Sequence, residues 1–142
     1  MIPRGSRSSF VRSAADILAG LMKGKLTLSV ARRPQGQAVL CVEGSVDPST
    51  YKRFEAAFRW FGEQRLHYLV VDMPLLTYIS SAGLSLLIKA KIDCAQNKGD
   101  VVLVRPQTPI LNILNILGLM GLFRIASSLD EALLPPAPRD GT

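Results

Sequence analysis

The residues of this chain best suited to chemistry are two adjacent serines, Ser80 and Ser81, in the stretch LVVDMPLLTYISSAGLSLL at residues 69–87. The apolar run that ends at Asp72 predicts a strand buried on both faces, followed by a short loop. The sequence Ser80-Ser81-Ala82-Gly83 predicts a helix start, because serine is a favoured N-cap residue. A phosphate there would meet free backbone N–H groups and the positive end of the helix dipole. The segment therefore predicts a serine that acts as a phosphorylation switch.

The sequence gives little support for a catalytic or metal-binding site. The single histidine, His67, precedes the predicted third strand and is expected at the end opposite the serines, so a Ser-His-Asp site is not favoured. Cys41 and Cys94 lie in a predicted strand and a predicted helix without C-x-x-C spacing, and are interpreted as small buried apolar residues. We therefore expect no enzyme activity, no metal site and no cofactor, in a protein of the reducing cytoplasm.

Length and charge exclude several classes of protein. A chain of 142 residues predicts one folded domain. No apolar run approaches the roughly 20 residues of a membrane-spanning helix, so no membrane span is expected. The net charge of +6 is uneven: residues 1–35 carry seven Lys and Arg against one Asp, whereas residues 36–134 carry nine basic and nine acidic side chains. Because the central residues have no basic excess, direct binding of nucleic acid is not expected.

The chain divides into three parts. Residues 1–25 form a basic N-terminal extension, part of which has the composition of a vector-derived remnant. Five apolar residues there have the spacing of one face of a short amphipathic helix that would pack on its own domain or on a partner copy: Phe10, Ala14, Ile17, Leu18 and Leu21. Residues 26–134 show regular strand and helix patterns and are expected to form the domain. Residues 135–142 form a Pro-rich tail.

The first half of the domain begins with a predicted hairpin. A turn at residues 34–36 joins two strands, residues 26–30 and 38–42, and Gly44 ends the second. The dipeptide that follows predicts a helix start, with Asp47 as the N-cap and a proline at the first helical position. Four aromatic residues at steps of three or four predict the buried face of this helix: Tyr51, Phe54, Phe58 and Phe61.

Helices and strands alternate in the second half. The serine-led helix is expected to run to about Asn97, with Gly99 as a left-handed cap, before a buried strand at residues 101–104. Thr108, followed by a proline, predicts the N-cap of the next helix. Two elements complete the pattern: a strand at residues 123–125 and a last helix with the capping box Ser128-Leu129-Asp130-Glu131. The prediction is an α/β fold, a mixed sheet of four to five strands with about four helices in the order β-β-α-β-α-β-α-β-α.

This order, taken with the serine segment, resembles the STAS domain, the fold of bacterial anti-sigma-factor antagonists, from residue 26 to about residue 134. The matching pieces are Glu43-Gly44-Ser45-Val46-Asp47, Val70-Val71-Asp72, Tyr78-Ile79-Ser80-Ser81-Ala82-Gly83-Leu84, Gly118-Leu119, and Phe123-Arg124-Ile125 followed by Glu131-Ala132. A common version of the family motif reads Asp-Ser-Ser-Gly, and its first serine takes the phosphate. Aligned on Gly83, Ser81 matches that serine, Ser80 stands in place of the Asp, and Ala82 replaces the second serine.

The resemblance implies a role in transcription regulation by partner switching. Unphosphorylated, such an antagonist binds a GHKL-type anti-sigma serine kinase and frees a sigma factor; phosphorylation releases it, and a phosphatase restores the binding form. The resemblance implies that Ser81 is the phosphorylated residue. The residues that it implies for partner binding are Asp47, Ser80, Ala82, Gly83 and Leu84. Whether the chain also forms a homodimer is left open.

Other interpretations stay open from the sequence. A STAS domain could instead be an interaction subunit of a membrane transport system, where no phosphorylation is required, or a small-ligand-binding sensor. Ser81 could be a capping serine without a regulatory role, and Asp47 a helix cap alone. Residues 110–117 contain more apolar residues than one buried face of a helix needs. The excess indicates either a partner surface or a deeply packed helix.

Overall fold

The structure is a computed structural model, and it describes residues 25–134. Its elements are β1 (Leu26–Arg33), β2 (Gln37–Val46), α1 (Tyr51–Glu63), β3 (Tyr68–Ile79), α2 (Ser81–Gln96), β4 (Asp100–Val104), α3 (Thr108–Ile116), β5 (Arg124–Ala126) and α4 (Leu129–Ala132). The predicted order of strands and helices is therefore confirmed. The predicted N-terminal helix and the Pro-rich tail lie outside the described residues. Within residues 25–134, no helix is both long and apolar enough to cross a membrane.

The five strands form one mixed sheet in the order β1-β2-β3-β4-β5. β1 and β2 pair antiparallel, and the other three pairs are parallel. The predicted hairpin is confirmed, with Arg33 opposite Gln37 and two left-handed turn residues, Gln35 (φ 66°) and Gly36 (φ 71°). Five strands with four helices confirm the predicted α/β class.

The core lies mainly between one face of the sheet and helices α1, α2 and α3, whereas the short helix α4 packs on the other face. Three of the four aromatic residues predicted to form the buried face of α1 are part of this core, whereas Tyr51 is only half-buried. Phe54, Phe58 and Phe61 are buried and meet edge to face, with ring centroids 5.0 and 5.7 Å apart. Val70 and Val71 are both fully buried, as expected of a central strand that is covered on two faces.

Two strands are longer than predicted. β3 runs to Ile79, so the loop expected after Asp72 is instead the second half of the strand. β2 continues past Gly44 to Val46, because Gly44 adopts a φ of +104° at a point where the pairing with β3 shifts. As a result, the last residues of β2 and β3 pair side by side at one edge of the sheet.

The starts of two helices also differ from the prediction. Residues 47–50 form a separate turn, so α1 begins at Tyr51 rather than at the proline after Asp47. The residue before α3 is Gln107, and Thr108 is already inside the helix. The Gln107 side chain donates to the Pro74 carbonyl oxygen at 2.7 Å, so it ties α3 to β3 instead of capping the helix.

The prediction that Gly99 is the left-handed residue after α2 is wrong, whereas the capping box predicted for the last helix is confirmed. The left-handed residue after α2 is Lys98 (φ 62°), not Gly99. Gly99 is a glycine for another reason: a Cβ there would collide with the carbonyl oxygen of His67, just before β3. At α4, the Ser128 hydroxyl accepts from the Glu131 N–H at 3.1 Å, as the sequence predicts.

Candidate functional site

The predicted site residues lie where β2 and β3 end and their chains turn toward α1 and α2. The Ser80 N–H donates to the Val46 carbonyl oxygen at 2.8 Å, which links the start of α2 to the end of β2. One residue earlier in β2, the Ser45 N–H donates to the Lys25 carbonyl oxygen at 2.7 Å. The carboxyl ends of parallel strands are a common place for functional groups in α/β sheets. Here they bring Asp47 and the two serines to the same edge.

Ser80 is the N-cap of α2, within the four-residue segment that the sequence predicts as a helix start. Its backbone is extended (φ −76°, ψ 169°), and its hydroxyl oxygen accepts from the Gly83 N–H at 3.3 Å. Its carbonyl oxygen accepts the Leu84 N–H at 2.9 Å and so begins the helical hydrogen bonds. The half-buried Ser80 side chain is thus engaged in holding the helix start.

Ser81 is the first residue of α2 and has a different environment from its neighbour. Its side chain is exposed, and its hydroxyl forms no hydrogen bond with any residue of the described chain. Ala82 beside it is also exposed, whereas Gly83 and Leu84 are buried. Of the four residues at the start of α2, the first two therefore face solvent and the next two face the core.

Gly83 is explained by packing inside the chain. A Cβ at this position would lie 2.7 Å from Ile79 Cγ1 and 2.8 Å from Val46 Cγ1, both on buried side chains at the strand ends. Only a glycine allows the first turn of α2 to lie this close to the ends of β2 and β3. The residue positions the helix that carries Ser81, and its own surface is not available to a partner.

Asp47 organises the turn before α1. Its Oδ1 accepts from the N–H groups of Ser49 and Thr50 at 2.9 and 3.2 Å and from the Ser49 hydroxyl at 2.6 Å, and its Oδ2 accepts from the Ser45 hydroxyl at 3.2 Å. These bonds, above all the one from the Ser49 hydroxyl, hold the pKa of the Asp47 carboxyl below its ordinary value, although desolvation acts in the opposite direction. The cap-like bonding predicted for Asp47 is present, within a turn rather than in the first turn of α1.

Two apolar residues of β3, Leu75 and Tyr78, precede the serines, and the sequence analysis did not predict that they are exposed. They expose 55% and 49% of their surface in the part of β3 that leads to Ser80. β3 pairs with β4 only as far as Asp72, so the strand segment after it has β2 on one side and no described strand on the other. The segment is rich in β-branched and aromatic residues, which was a usable strand signal despite its proline.

Asp72 and His67 lie away from the serines. Asp72 is buried within β3, where Arg105 Nη2 donates to both carboxylate oxygens at 3.1 Å. His67 precedes β3, at the opposite end of the strand from Ser80, so no histidine lies beside the serines. No cluster of three or more possible metal ligands occurs among residues 25–134.

Both cysteines occupy the predicted elements. Cys41 is half-buried in β2, and Cys94 is buried in α2. Burial raises the pKa of the Cys94 thiol to about 11, with smaller contributions from the Asp93 and Asp100 carboxylates. Burial likewise raises the pKa of the Cys41 thiol, and the nearby Asp72 adds to the effect. Thiols that resist ionisation in this way are suited to packing rather than to nucleophilic chemistry.

Comparison with known proteins gives one family and a consistent fold. The family model described as the STAS domain matches residues 29–132. No curated protein matches the chain significantly. An anti-sigma factor antagonist from Mycobacterium paratuberculosis superposes with a TM-score of 0.67 and 23% identity, over 85% of this chain and 95% of that one.

Two structures of one further protein, SpoIIAA, are similar at lower identity. The anti-sigma factor antagonist SpoIIAA in its unphosphorylated form has a TM-score of 0.63 and 16% identity, over 75% of this chain and 91% of its own. The phosphorylated form of the Bacillus cell fate determinant SpoIIAA has a TM-score of 0.62 and 15% identity, over 75% of this chain and 96% of its own. At these identities the similarity is one of fold.

Proposed function

The chain belongs to the STAS domain family, and from that membership we propose that it is an anti-sigma-factor antagonist controlled by phosphorylation of Ser81. The observation that carries the proposal is the Ser81 hydroxyl, which is exposed, unbonded within the described chain and placed at the first residue of a 16-residue helix. In the proposed cycle, the unphosphorylated chain binds a GHKL-type anti-sigma serine kinase, phosphorylation releases it, and a phosphatase restores the binding form. The chain itself is proposed to catalyse no reaction.

The start of α2 is suited to a phosphate. The first N–H groups of an α-helix lack helical acceptors, and the helix dipole favours negative charge there. The first turn of α2 contains no acidic side chain to repel a phosphate. Asp47, in the turn that follows β2, already has its carboxylate bound by local donors. A group of about −1.5 to −2 charges on Ser81 is therefore compatible with the free, folded chain.

The same group would be costly in a complex. At an interface fitted to a neutral hydroxyl, phosphate must lose water and meet partner groups that cannot neutralise it, at a cost of several kcal/mol. Each increment of about 1.4 kcal/mol weakens binding tenfold. A cost of about 3 kcal/mol therefore lowers affinity roughly a hundredfold, enough to separate bound from released states.

The SpoIIAA structures support a switch that acts at the surface. The unphosphorylated and phosphorylated forms resemble this chain almost equally, with TM-scores of 0.63 and 0.62 over the same share of it. A STAS fold thus accommodates both states without a large change of fold. For this chain we infer the same behaviour, in which phosphorylation changes charge and hydration at the edge that carries Ser81.

The proposed partner surface combines exposed and supporting residues. Ser81, Ala82 and Asp47 are proposed to contact the kinase directly, because all three have surface at the end of β2 and β3. Ser80, Gly83 and Leu84 are proposed to act by setting the path of α2, through the cap, the close approach to the strands and the buried leucine.

Phosphorylation is tested with the full chain, candidate GHKL-type kinases and ATP, followed by intact mass and peptide mapping. The matched variants are Ser81→Ala and Ser85→Ala, since both serines are exposed and lie one turn apart on α2. We expect one phosphate on the wild type and on Ser85→Ala, and none on Ser81→Ala. Phosphate that persists in Ser81→Ala would show that the acceptor is another residue.

Partner release is tested by the affinity of the same kinase for Ser81→Asp and Ser85→Asp. We expect Ser81→Asp to bind at least about tenfold more weakly than the wild type, while Ser85→Asp keeps most of the affinity. Equal binding of wild type and Ser81→Asp would favour a passive interaction subunit, in which the charge on Ser81 has no effect.

A further inference from the structure

A cavity of about 430 Å³ lies between α1 and α2, and neither Ser80 nor Ser81 is among its lining residues. Its floor is apolar and includes Phe58, Leu69, Ala90 and Cys94, which are all buried. Cavities of roughly 300–1,000 Å³ with an apolar lining and a few polar groups are typical of small-molecule sites. The side chains of the described residues leave this space unfilled.

The rim of the cavity carries charged side chains from both helices. On α2, Lys89 and Asp93 form an ion pair with an Nζ–Oδ2 distance of 2.9 Å, so their charges are largely satisfied by each other. On α1, Glu55 and Arg59 stand one turn apart, and neither forms a hydrogen bond or ion pair with another residue in the 25–134 range. Arg59 is thus a guanidinium at the mouth of an apolar cavity, and its donors are not bound by any residue of the described part of the chain.

We propose that this cavity binds a small amphipathic carboxylate, with its hydrocarbon chain on the apolar floor and its carboxylate on Arg59. A guanidinium offers parallel N–H donors that match the two oxygens of a carboxylate. Of the two cations at the rim, Lys89 is paired with Asp93, so Arg59 is the one open to a carboxylate. Glu55 stands one turn from Arg59 on the same helix and disfavours an anion there, so the carboxylate must compete with Glu55 for the guanidinium.

Binding is tested with the full chain and decanoate by calorimetry and by amide chemical shifts, with decylamine and decan-1-ol as probes of equal chain length. We expect decanoate to bind most tightly, with shifts concentrated on residues of α1 and α2 that line the cavity. Equal or tighter binding of decylamine or decan-1-ol would overturn the assignment of Arg59 to a carboxylate. No saturable binding of decanoate would overturn the proposal as a whole.

Charge variants on α1 make the test specific. Arg59→Gln is expected to weaken decanoate binding about tenfold, and Glu55→Gln to strengthen it a few fold, because one removes the anion partner and the other removes a repulsion. Lys52→Gln is the matched control, since Lys52 is an exposed base on the same helix outside the cavity lining. If Lys52→Gln weakened decanoate binding as much as Arg59→Gln, the loss would be explained by net charge alone, and the proposal would be contradicted.

A filling variant and a serine variant complete the design. Ala90→Phe is expected to abolish binding by occupying the floor, with its thermal unfolding measured to show that it folds. If it does not fold, protection of the Cys94 thiol from alkylation by bound decanoate in the wild type replaces it, and absence of protection counts against the site. Ser81→Ala is expected to bind decanoate normally, so a failure of this proposal and a failure of the proposed function are distinguishable.

Discussion

Replacing Gly83 by alanine is predicted to destabilise the domain, although the same change in another helix should stabilise it. Gly83 in α2 and Gly62 in α1 are both helical glycines. At Gly62 an added Cβ meets nothing within 4 Å, so Gly62→Ala keeps the helix-propensity gain of about 0.5–1 kcal/mol. At Gly83 the Cβ would approach Val46 and Ile79 to 2.8 and 2.7 Å, well inside ordinary van der Waals contact.

The expected size of the effect follows from these two contributions. Overpacking a buried site costs about 1–3 kcal/mol, and neither neighbour can move away easily because Val46 and Ile79 are buried, 0% and 3% exposed. After the propensity gain is subtracted, Gly83→Ala should lower the free energy of unfolding by about 1 kcal/mol, so the two variants should differ by about 2 kcal/mol.

The measurement is urea unfolding followed by far-UV circular dichroism on the wild type, Gly83→Ala and Gly62→Ala. A double-mutant cycle with Val46→Ala isolates the contact, and a favourable coupling of more than about 0.5 kcal/mol is expected because the shortened residue 46 makes room for the new methyl group. A Gly83→Ala variant as stable as Gly62→Ala would refute the claim that packing against the strand ends requires this glycine.

Three further predictions concern the serines and two ionisable groups. Ser80→Ala should lower the free energy of unfolding by about 1 kcal/mol through loss of the cap, and Ser81→Ala should change it by less than about 0.5 kcal/mol; urea midpoints of the two variants check this. Because the folded-state pKa of Asp47 is depressed, the stability that its carboxylate contributes is present above the ordinary pKa of 3.8 and is lost as pH falls through the lower folded value. Asp47→Asn keeps an acceptor oxygen and should flatten the pH dependence of the urea midpoint in that acid range. The Cys94 thiol, with its pKa near 11, should react with iodoacetamide at pH 8 far more slowly in the native chain than in the urea-unfolded chain, and mass spectrometry would reveal equal rates if this is wrong.

Local sequence predicted most of the elements because their signals are local. At the start of α2 and of α4, a serine hydroxyl accepts a hydrogen bond from the backbone N–H three residues later. Both caps, Ser80 and Ser128, are present in the structure. The aromatic stripe of α1 follows from helical spacing, and Phe54 and Phe61 are each 1% exposed. Order and class then follow from the alternation of strand and helix patterns.

The second half of β3 was missed because its strand character depends on distant partners. Pro74 cannot donate a backbone hydrogen bond and reads locally as the end of a strand. In the fold, pairing with β4 ends at Asp72, so Pro74 lies where β3 has a described strand on one side only and a missing donor is tolerated. Its carbonyl oxygen instead accepts from Gln107, a residue far along the chain.

The sequence also did not predict the places where two distant segments of the backbone approach each other closely. Gly99 looked like a left-handed cap, yet it is needed because the His67 carbonyl oxygen occupies the space of a side chain. Gly44 looked like the end of a strand, yet its positive φ lets β2 continue while the Lys25 carbonyl approaches its Cα. Each glycine was a correct sign of an unusual backbone position, but the atom responsible belongs to another element.

The two serines divide between them the tasks of capping and of presenting a free hydroxyl, and this division bears on the departure from the Asp-Ser-Ser-Gly pattern. Aspartate and serine are both favoured N-cap residues, so Ser80 in place of the Asp keeps the bond to the Gly83 N–H. If the hydroxyl that caps α2 also received the phosphate, modification would disturb a bond worth about 1 kcal/mol to the fold. Because Ser81 holds no such bond, a charge placed on it alters the surface and leaves the helix start intact. The loss of the acid also leaves one fewer negative charge beside Ser81, so the phosphate proposed for that residue would meet less electrostatic repulsion.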